Sequence, residues 1–379
     1  MKYAPVAVLA AITLFSSADA QAACEREVKT ASKSGEALVT GYQSVIACDA
    51  EVAEQVFFQF MQNTGDLDTL TALSMAAIEA DVWSPVWQMP GKIKDYSTRD
   101  DVASAIGAQC AENEKVVAFL QGAYFGLKDI DFQQWDDAMV ACESDAFNNW
   151  VVDQVKNPPA KVFDEKWNLL AEIYVNRAGV DSLETLSIAG IKAAENGGPY
   201  ESILASMDAA VAPGLGEEPD PANQKKLEDA LVGMAKQLPP DKAKSIADRL
   251  SNSGSDAAAA SLLGAIYPDR VKGDGSFDYA AVSVEAGDCG GTKSAVLHVA
   301  VLNEPGKRYG LGDAAKAPMT GFKPRLKKCT AEGAWPVLVS AEPISGKDDL
   351  ESFVKGIESN WTEKGYAVKR RDEKPVSLN

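Results

Sequence analysis

Histidine is nearly absent from this sequence: His298 is the only one among 379 residues. Most hydrolase mechanisms place a histidine beside a nucleophile and an acid, but no G-x-S-x-G motif or comparable partner motif accompanies His298. Because the residue is flanked by Leu297 and Val299, we expect it to be an ordinary strand residue. We predict no catalytic, cofactor-binding or metal-ligating residue in the chain, and no cofactor.

Long apolar runs are absent too, since none approaches the about 20 residues that a membrane-spanning helix needs. The apolar run 4–15 follows Lys2 and precedes small residues in A-x-A spacing, which is typical of a cleaved secretory signal. The small residues are Ala18, Ala20 and Ala22. We therefore predict a signal peptide over residues 1–22, no transmembrane segment, and a periplasmic or secreted protein, with a lipid anchor on Cys24 as an alternative.

Positive charge is scarce. The chain has 37 lysine and arginine residues against 55 aspartate and glutamate residues, a formal net charge of -18 at pH 7. Nucleic acids and anionic membranes bind surfaces of positive potential, so we predict neither as a partner. The locally basic region is C-terminal and is interpreted as edge-strand residues that discourage aggregation, or alternatively as a face for an anionic partner. It comprises Lys323, Arg325, Lys327, Lys328, Lys369, Arg370 and Arg371.

The six cysteines contain no C-x-x-C pair, which together with the single histidine disfavours a zinc site. An even number of cysteines behind a secretory signal favours disulfides, and each cysteine has a near neighbour in the sequence. We predict three structural disulfides that join Cys24 to Cys48, Cys110 to Cys142, and Cys289 to Cys329.

One stretch is written twice, as Asn63–Ala80 (NTGDLDTLTALSMAAIEA) and Asn176–Ala193 (NRAGVDSLETLSIAGIKA). In each copy an aspartate, Asp68 or Asp181, is expected to cap a helix whose apolar residues then fall on one face. A second apolar helix precedes each copy, and a turn with Gly65 or Gly179 joins the two. A helix this short must bury its apolar face on a neighbour, so the pattern predicts antiparallel helix pairs that stack.

The spacing of the predicted helix ends supports this architecture. Successive ends are separated by 32, 30 and 32 residues, at Cys48, Ala80, Cys110 and Cys142. The period resembles that of HEAT-type helical repeat proteins, which stack helix pairs into an α-solenoid. The resemblance covers roughly Glu25 to Val211 and implies architecture only, because the basic ladder along the inner helices of that family is not evident here.

The remaining chain divides by composition and period. Residues 23–211 form the predicted helical repeat domain, and residues 212–221, rich in proline, glycine and acid, are a predicted loop. Residues 222–270 carry three predicted helices that prolong or cap the array. Residues 276–379 are a predicted α+β domain with an antiparallel sheet and one helix, which begins at Asp348 or Asp349. Its predicted strands are Tyr279–Glu285, Ala295–Leu302, Leu326–Thr330, Pro336–Glu342 and Tyr366–Arg371.

Two tryptophans stand out as a possible binding surface. Trp83 and Trp87 are four residues apart, so they share one face of a predicted helix. Aromatic residues at this spacing usually belong to the core, but an exposed pair on a solenoid would anchor a partner. Acidic pairs such as Asp136 and Asp137 are interpreted as solvated helix surface, because adjacent carboxylates cannot face each other across a cleft.

We therefore expect a mainly α protein that acts through binding: an exported, disulfide-containing helical-repeat module that binds another protein or an envelope component in the bacterial cell envelope. The alternative is a carbohydrate-active or cell-wall-modifying enzyme with carboxylates in a helical cleft. Converging carboxylates with a raised pKa would favour the enzyme. An aromatic patch on an open face would favour binding, and a purely structural envelope role is the third interpretation.

Overall fold

The computed structural model describes residues 24, 28, 35–214, 218–303, 326 and 335–373. The chain divides into two compact units, Met1–Ala210 and Val211–Asn379. The regular structure described in the first unit is helical, and the second unit combines helices with a sheet. A stack of helices followed by a small α+β domain is the fold class that the sequence predicts.

The first unit contains twelve described α-helices, most of them three or four turns long. They are α1 Gly35–Cys48, α2 Ala50–Met61, α3 Leu67–Glu79, α4 Trp83–Gln88, α5 Tyr96–Ala108, α6 Glu114–Gly126, α7 Asp129–Phe132, α8 Asp136–Ala141, α9 Asp145–Lys156, α10 Glu165–Ala178, α11 Leu183–Asn196 and α12 Tyr200–Ala209. Short 3₁₀ turns lie at Pro90–Lys92, Gln109–Ala111, Gln133–Trp135 and Gly179–Ser182.

The two copies of the repeated stretch occupy equivalent places. The first becomes α3 and packs on α1, which also packs on α2; the second becomes α11 and packs on α9, which also packs on α10. Each repeated helix thus packs on the helix two places earlier in the chain, and α11 also packs on α12. Leu70 and Leu73 in the first copy, and Leu183 and Leu186 in the second, are buried. Their burial supplies the apolar contact that a short helix needs.

The predicted capping residues differ from those observed. Asp66, not Asp68, caps α3, because it lies just before the helix in extended conformation and its carboxylate accepts a hydrogen bond from the Thr69 amide at 2.8 Å. Asp68 lies inside the first turn. In the second copy Asp181 is part of a 3₁₀ turn, and no side chain caps α11. A carboxylate reaches the free amides of a helix only from the position before the first turn.

Disulfides connect neighbouring parts of the first unit. Cys24 is bonded to Cys48 and Cys110 to Cys142, with Cα–Cα distances of 5.8 Å and 5.4 Å. These are two of the three predicted pairs. Cys289 is also disulfide-bonded, whereas Cys329, its predicted partner, lies outside the described residues.

Removing the bond between Cys110 and Cys142 should destabilise the first unit. The bond closes a stretch with a sequence separation of 32 residues. A crosslink of that span restricts the unfolded chain, so we expect the double variant Cys110→Ala/Cys142→Ala to lose about 3 kcal/mol of unfolding free energy. Urea unfolding followed by tryptophan fluorescence measures the loss. An unchanged midpoint would show that the bond adds nothing to stability.

The second unit begins with three helices and ends with a sheet. The helices are α13 Pro221–Ala235, α14 Pro240–Asn252 and α15 Asp256–Ile266, followed by a 3₁₀ turn at Pro268–Arg270. These are the helices predicted to prolong or cap the array, and they fall in the same compact unit as the sheet. The later elements are β1 Asp278–Asp288, β2 Lys293–Leu302, β3 Trp335–Ile344, α16 Lys347–Glu363 and β4 Ala367–Asp372.

The sheet has the strand order β3-β1-β2-β4. Strand β1 pairs antiparallel with both β2 and β3, and β4 pairs parallel with β2. One face carries alternate apolar residues that pack on Val354 of α16. These residues are Val282, Val284, Ala295, Leu297 and Val299. Four of the five predicted strands are therefore present, and the fifth, Leu326–Thr330, lies outside the described residues except for Leu326.

Candidate functional site: a groove across helix α4

Two depressions in the first unit meet at Gln88, the last residue of α4. The first, with a volume of about 520 Å³, lies between α2 and α4. It is lined by Glu51, Glu54, Gln55, Phe58, Ser84, Pro85 and Gln88. The second, with a volume of about 390 Å³, is lined by Trp87, Gln88, Gly91, Lys92, Leu127, Asp131 and Gln134.

The two depressions form one feature, which we call the α4 groove. Gln88 lines both, and Lys92 of the second reaches Phe58 of the first, with its Nζ 5.9 Å from the ring centroid. Each volume lies in the range of binding pockets, roughly 300 to 1,000 Å³. Among the described residues this groove brings together aromatic rings and carboxylates on one open surface.

A reversal of the chain after α3 positions α4. Asp81 has a φ of 60°, which lets the chain turn before the helix begins. Its carboxylate pairs with Lys115 of α6 at 2.5 Å. At the far end, the indole nitrogen of Trp135 donates to the carbonyl of Trp87 at 3.3 Å, which satisfies a helix-end carbonyl. The short helix is thus held at both ends by contacts with other parts of the unit.

The two predicted tryptophans lie on α4 and are both half-buried. Their ring centroids lie 6.2 Å and 6.0 Å from that of Phe119 on α6, and 5.9 Å from each other. A Cβ added to Gly122 of α6 would lie 3.0 Å from the Trp87 ring, so this glycine allows the close approach. Much of the pair therefore packs internally. Trp87 also lines the groove, whereas Trp83 lines neither depression.

Exposed apolar side chains adjoin the groove where α6 ends. Phe125 is 68% exposed and Ile130 is 71% exposed, and in the sequence they flank Leu127, which lines the groove. The Phe125 ring rests against Trp150, with centroids 6.3 Å apart. The sequence analysis did not single out this patch, because helical spacing does not show which aromatic residues of a stack stay uncovered. Exposed apolar surface of this kind commonly marks a binding site.

The helical unit carries the acid excess of the protein. Residues 35–210 contain 28 acidic and 10 basic residues, a difference of 18, whereas residues 211–379 contain 24 acidic and 23 basic residues. Several of the few basic side chains already have partners within the unit. Arg99 pairs with Asp100, Lys115 pairs with Asp81, and Lys166 donates hydrogen bonds to backbone carbonyls. In the part of the chain that the structure describes, Glu51 and Glu54 of the groove have no ion-pair partner. The groove is therefore electronegative.

A separate group of carboxylates lies between α8 and α10. Burial, together with the nearby carboxylates of Asp137, Glu172 and Glu165, raises the pKa of Asp136 to about 6. One oxygen of Asp136 is shielded from solvent and accepts no hydrogen bond from the described residues. The prediction that Asp136 and Asp137 are solvated helix surface is wrong for Asp136, because this residue is half-buried. It lines neither depression of the α4 groove.

Replacing Asp136 by asparagine should change how stability depends on pH. The pKa of Asp136 is raised in the folded state, so the folded protein binds its proton before the unfolded chain does as pH falls. Its destabilising effect is therefore absent below the unfolded pKa and grows as pH rises to about 6. After allowance for partial exposure, Asp136→Asn should gain about 1 to 2 kcal/mol at pH 7 and almost nothing at pH 4. Urea unfolding at both pH values tests this; an equal difference at each would contradict it.

The sheet of the second unit contains a buried polar cluster that the sequence analysis missed. His298 on β2 and Glu285 on β1 have no exposed surface. The ring nitrogens of His298 lie 2.8 Å and 3.4 Å from carboxylate oxygens of Glu373 and Glu285. Burial raises the pKa of Glu373, but His298 and Arg371 outweigh burial and hold that pKa below its usual range. His298 is a strand residue, as predicted. The two acids beside it belong to no recognisable sequence motif.

Because it is buried, this cluster suits a structural role better than a catalytic one. Glu285 also accepts a hydrogen bond from the Leu326 amide at 2.6 Å, so both of its oxygens are engaged. Catalysis needs contact between the catalytic group and a substrate, and neither His298 nor Glu285 is exposed to one. The α4 groove is the better candidate for a functional site, because its side chains are accessible.

No family model, no curated protein and no solved structure matches this chain. None of the helices that the structure describes is long and apolar enough to cross a membrane. The case for the α4 groove therefore depends on its own geometry and chemistry.

Proposed function

We propose that this protein is an exported protein-binding module of the cell envelope, and that a polypeptide segment of its partner lies in the α4 groove. The observation that carries the proposal is the groove itself, which is lined by Phe58, Glu51 and Glu54 in one depression and by Trp87 in the other. Aromatic residues in well-packed surroundings are the usual anchors of protein interfaces. The disulfides support an oxidising compartment outside the cytoplasm.

The helical architecture supports the same function. We propose that the first unit is a HEAT-like α-solenoid, since the two copies of the repeat pack in equivalent ways. Stacked helical repeats expose grooves between successive helices, and such proteins use these extended surfaces for binding. The exposed Phe125 and Ile130 extend the apolar surface beyond the groove and enlarge the area available to a partner.

Site-specific crosslinking tests this proposal. A photo-crosslinking residue replaces Gln88, which lines both depressions, and in a matched control it replaces Glu201 on α12, which lines neither. In the native envelope we expect one protein to be captured at position 88 and not at position 201. The capture should disappear when Trp87→Ala is added. Equal capture at both positions, or capture of glycans alone, would contradict the proposal.

A second candidate function is hydrolysis of an envelope carbohydrate, which one observation favours. Asp136 has a pKa of about 6 and lies among Asp137, Glu165 and Glu172, and a protonated carboxylic acid beside a carboxylate is what glycoside hydrolysis requires. In this case Asp136→Asn should abolish release of reducing sugar from purified envelope polysaccharide. Absence of release by the wild-type protein would remove this candidate.

A further inference from the structure

We infer that the segment bound in the α4 groove is cationic, with a lysine or arginine beside Glu51 and Glu54 and an apolar side chain beside Trp87. This inference rests on the proposed function, because it names the chemistry of the partner for the same groove. The partner is a protein with a basic, partly apolar segment.

The charge of the groove is complementary to that of a basic segment. Glu51 and Glu54 are exposed, project into the depression of about 520 Å³, and form no ion pair with the residues that the structure describes. Asp131 adds a third carboxylate at the other end of the groove, and Lys92 is the single basic residue among those that line it. The surrounding unit is strongly acidic, so its field attracts basic segments and repels acidic ones.

Cationic side chains of this unit already lie over its aromatic rings. In the groove, Lys92 lies 5.9 Å from the centroid of Phe58. Elsewhere in the unit, Arg99 lies 4.8 Å from the centroid of Tyr96, and Lys166 lies 5.4 Å from that of Phe132. Such positions are favourable because the face of an aromatic ring is electron-rich. A lysine or arginine of the partner can use Phe58 in the same way that Lys92 does.

The shape of the groove suits a cationic side chain of a polypeptide better than a metal ion. In the described ranges, no group of three or more histidine, cysteine, aspartate or glutamate side chains is arranged to hold a metal ion. Gln88 at the end of α4 lines both depressions, so one occupant that fills both must pass this residue. An extended polypeptide does so, because its side chains reach out at regular intervals along the backbone. A basic and an apolar side chain of one segment thus match the two halves of the groove.

Selection from a random peptide library tests the inference. The oxidised full chain is immobilised, and a displayed library of random 12-residue peptides is the probe. We expect enrichment of peptides with lysine or arginine near an aromatic or large aliphatic residue. A labelled peptide from the enriched pool should bind Glu51→Gln/Glu54→Gln at least about tenfold more weakly than wild type, and its affinity should fall as salt screens the carboxylates.

The matched control variant is Glu195→Gln/Glu201→Gln, which removes the same charge from exposed positions outside the groove. Its affinity for the peptide should stay within about twofold of wild type, which separates a local effect from the general field. Enrichment of uncharged or acidic peptides, lost in Trp87→Ala, would overturn the cationic partner and leave binding in the groove intact. Absence of any enrichment over blank support would overturn the proposed function as well.

Discussion

Replacing Gly107 by valine should unfold or severely destabilise the helical unit, with a loss of roughly 4 kcal/mol or more in unfolding free energy. Gly107 is buried near the end of α5, where that helix packs on α8. A Cβ at this position would lie 2.2 Å from the carbonyl oxygen of Ala138 and 2.7 Å from its Cα. These are backbone atoms, so no side-chain rotation can relieve the overlap, and the two helices must separate.

The site of this contact explains the size of the effect. The helices that Gly107 brings together are followed directly by Cys110 and Cys142, which are bonded to each other. Separation of the helices therefore opposes the disulfide and uncovers Ile106 and Met139, both fully buried. Large losses arise where overpacking cannot be absorbed by a flexible neighbour.

Gly233→Ala is the matched control for this substitution. Gly233 is also a helical glycine, on α13, but a Cβ added there would have no atom within 4 Å. Alanine favours the helix, so we expect stability to rise by up to about 1 kcal/mol. Five of the seven tryptophans lie in the first unit, so fluorescence during urea unfolding reports Gly107→Val, and circular dichroism reports Gly233→Ala. A Gly107→Val protein within about 1 kcal/mol of wild type would contradict the close contact of α5 and α8.

The sequence predicts the helical class because that information is local. Leu70 and Leu73 recur at helical spacing and are buried, and the repeated stretch marks equivalent helices through its own pattern. The two described cysteine pairs are predictable because each bond joins cysteines that follow one another along the chain with no other cysteine between them. By contrast, the sequence AIGAQC shows Gly107 only as a residue of low helix propensity. Only the path of α8 shows that nothing larger fits there.

The candidate sites are less predictable, since they depend on contacts between distant segments. The α4 groove joins Phe58 of α2 to Leu127 after α6, and no spacing rule relates these positions. The cluster around His298 needs the parallel pairing of β4 with β2, which sets Arg371 opposite His298. The sequence predicts an antiparallel sheet and no strand order, which is wrong for β4 because it pairs parallel with β2, so this juxtaposition does not follow from the strand pattern alone.

His298→Leu should cost the sheet roughly 3 to 5 kcal/mol, because buried Glu285 loses one of its polar partners and Glu373 loses its bond to the imidazole. Glu285 has no exposed surface, so water cannot replace the hydrogen bond that it loses when the imidazole is removed. The Leu side chain is of similar volume and apolar, so loss of packing is a minor part of the effect. Hydrogen exchange of the β1 and β2 amides, followed by mass spectrometry, measures the second unit separately from the first.

The double variant His298→Leu/Glu285→Leu distinguishes a buried charge from a lost contact. If the cost of His298→Leu arises mainly at Glu285, where a buried carboxyl group has lost one of its partners, removal of that group should restore a large part of the lost protection. Recovery should be incomplete, because the Leu326 amide loses its acceptor and Glu373 loses its bond to His298. A double variant less stable than His298→Leu would instead mean that Glu285 stabilises the sheet through its other hydrogen bonds, with the histidine as a secondary partner.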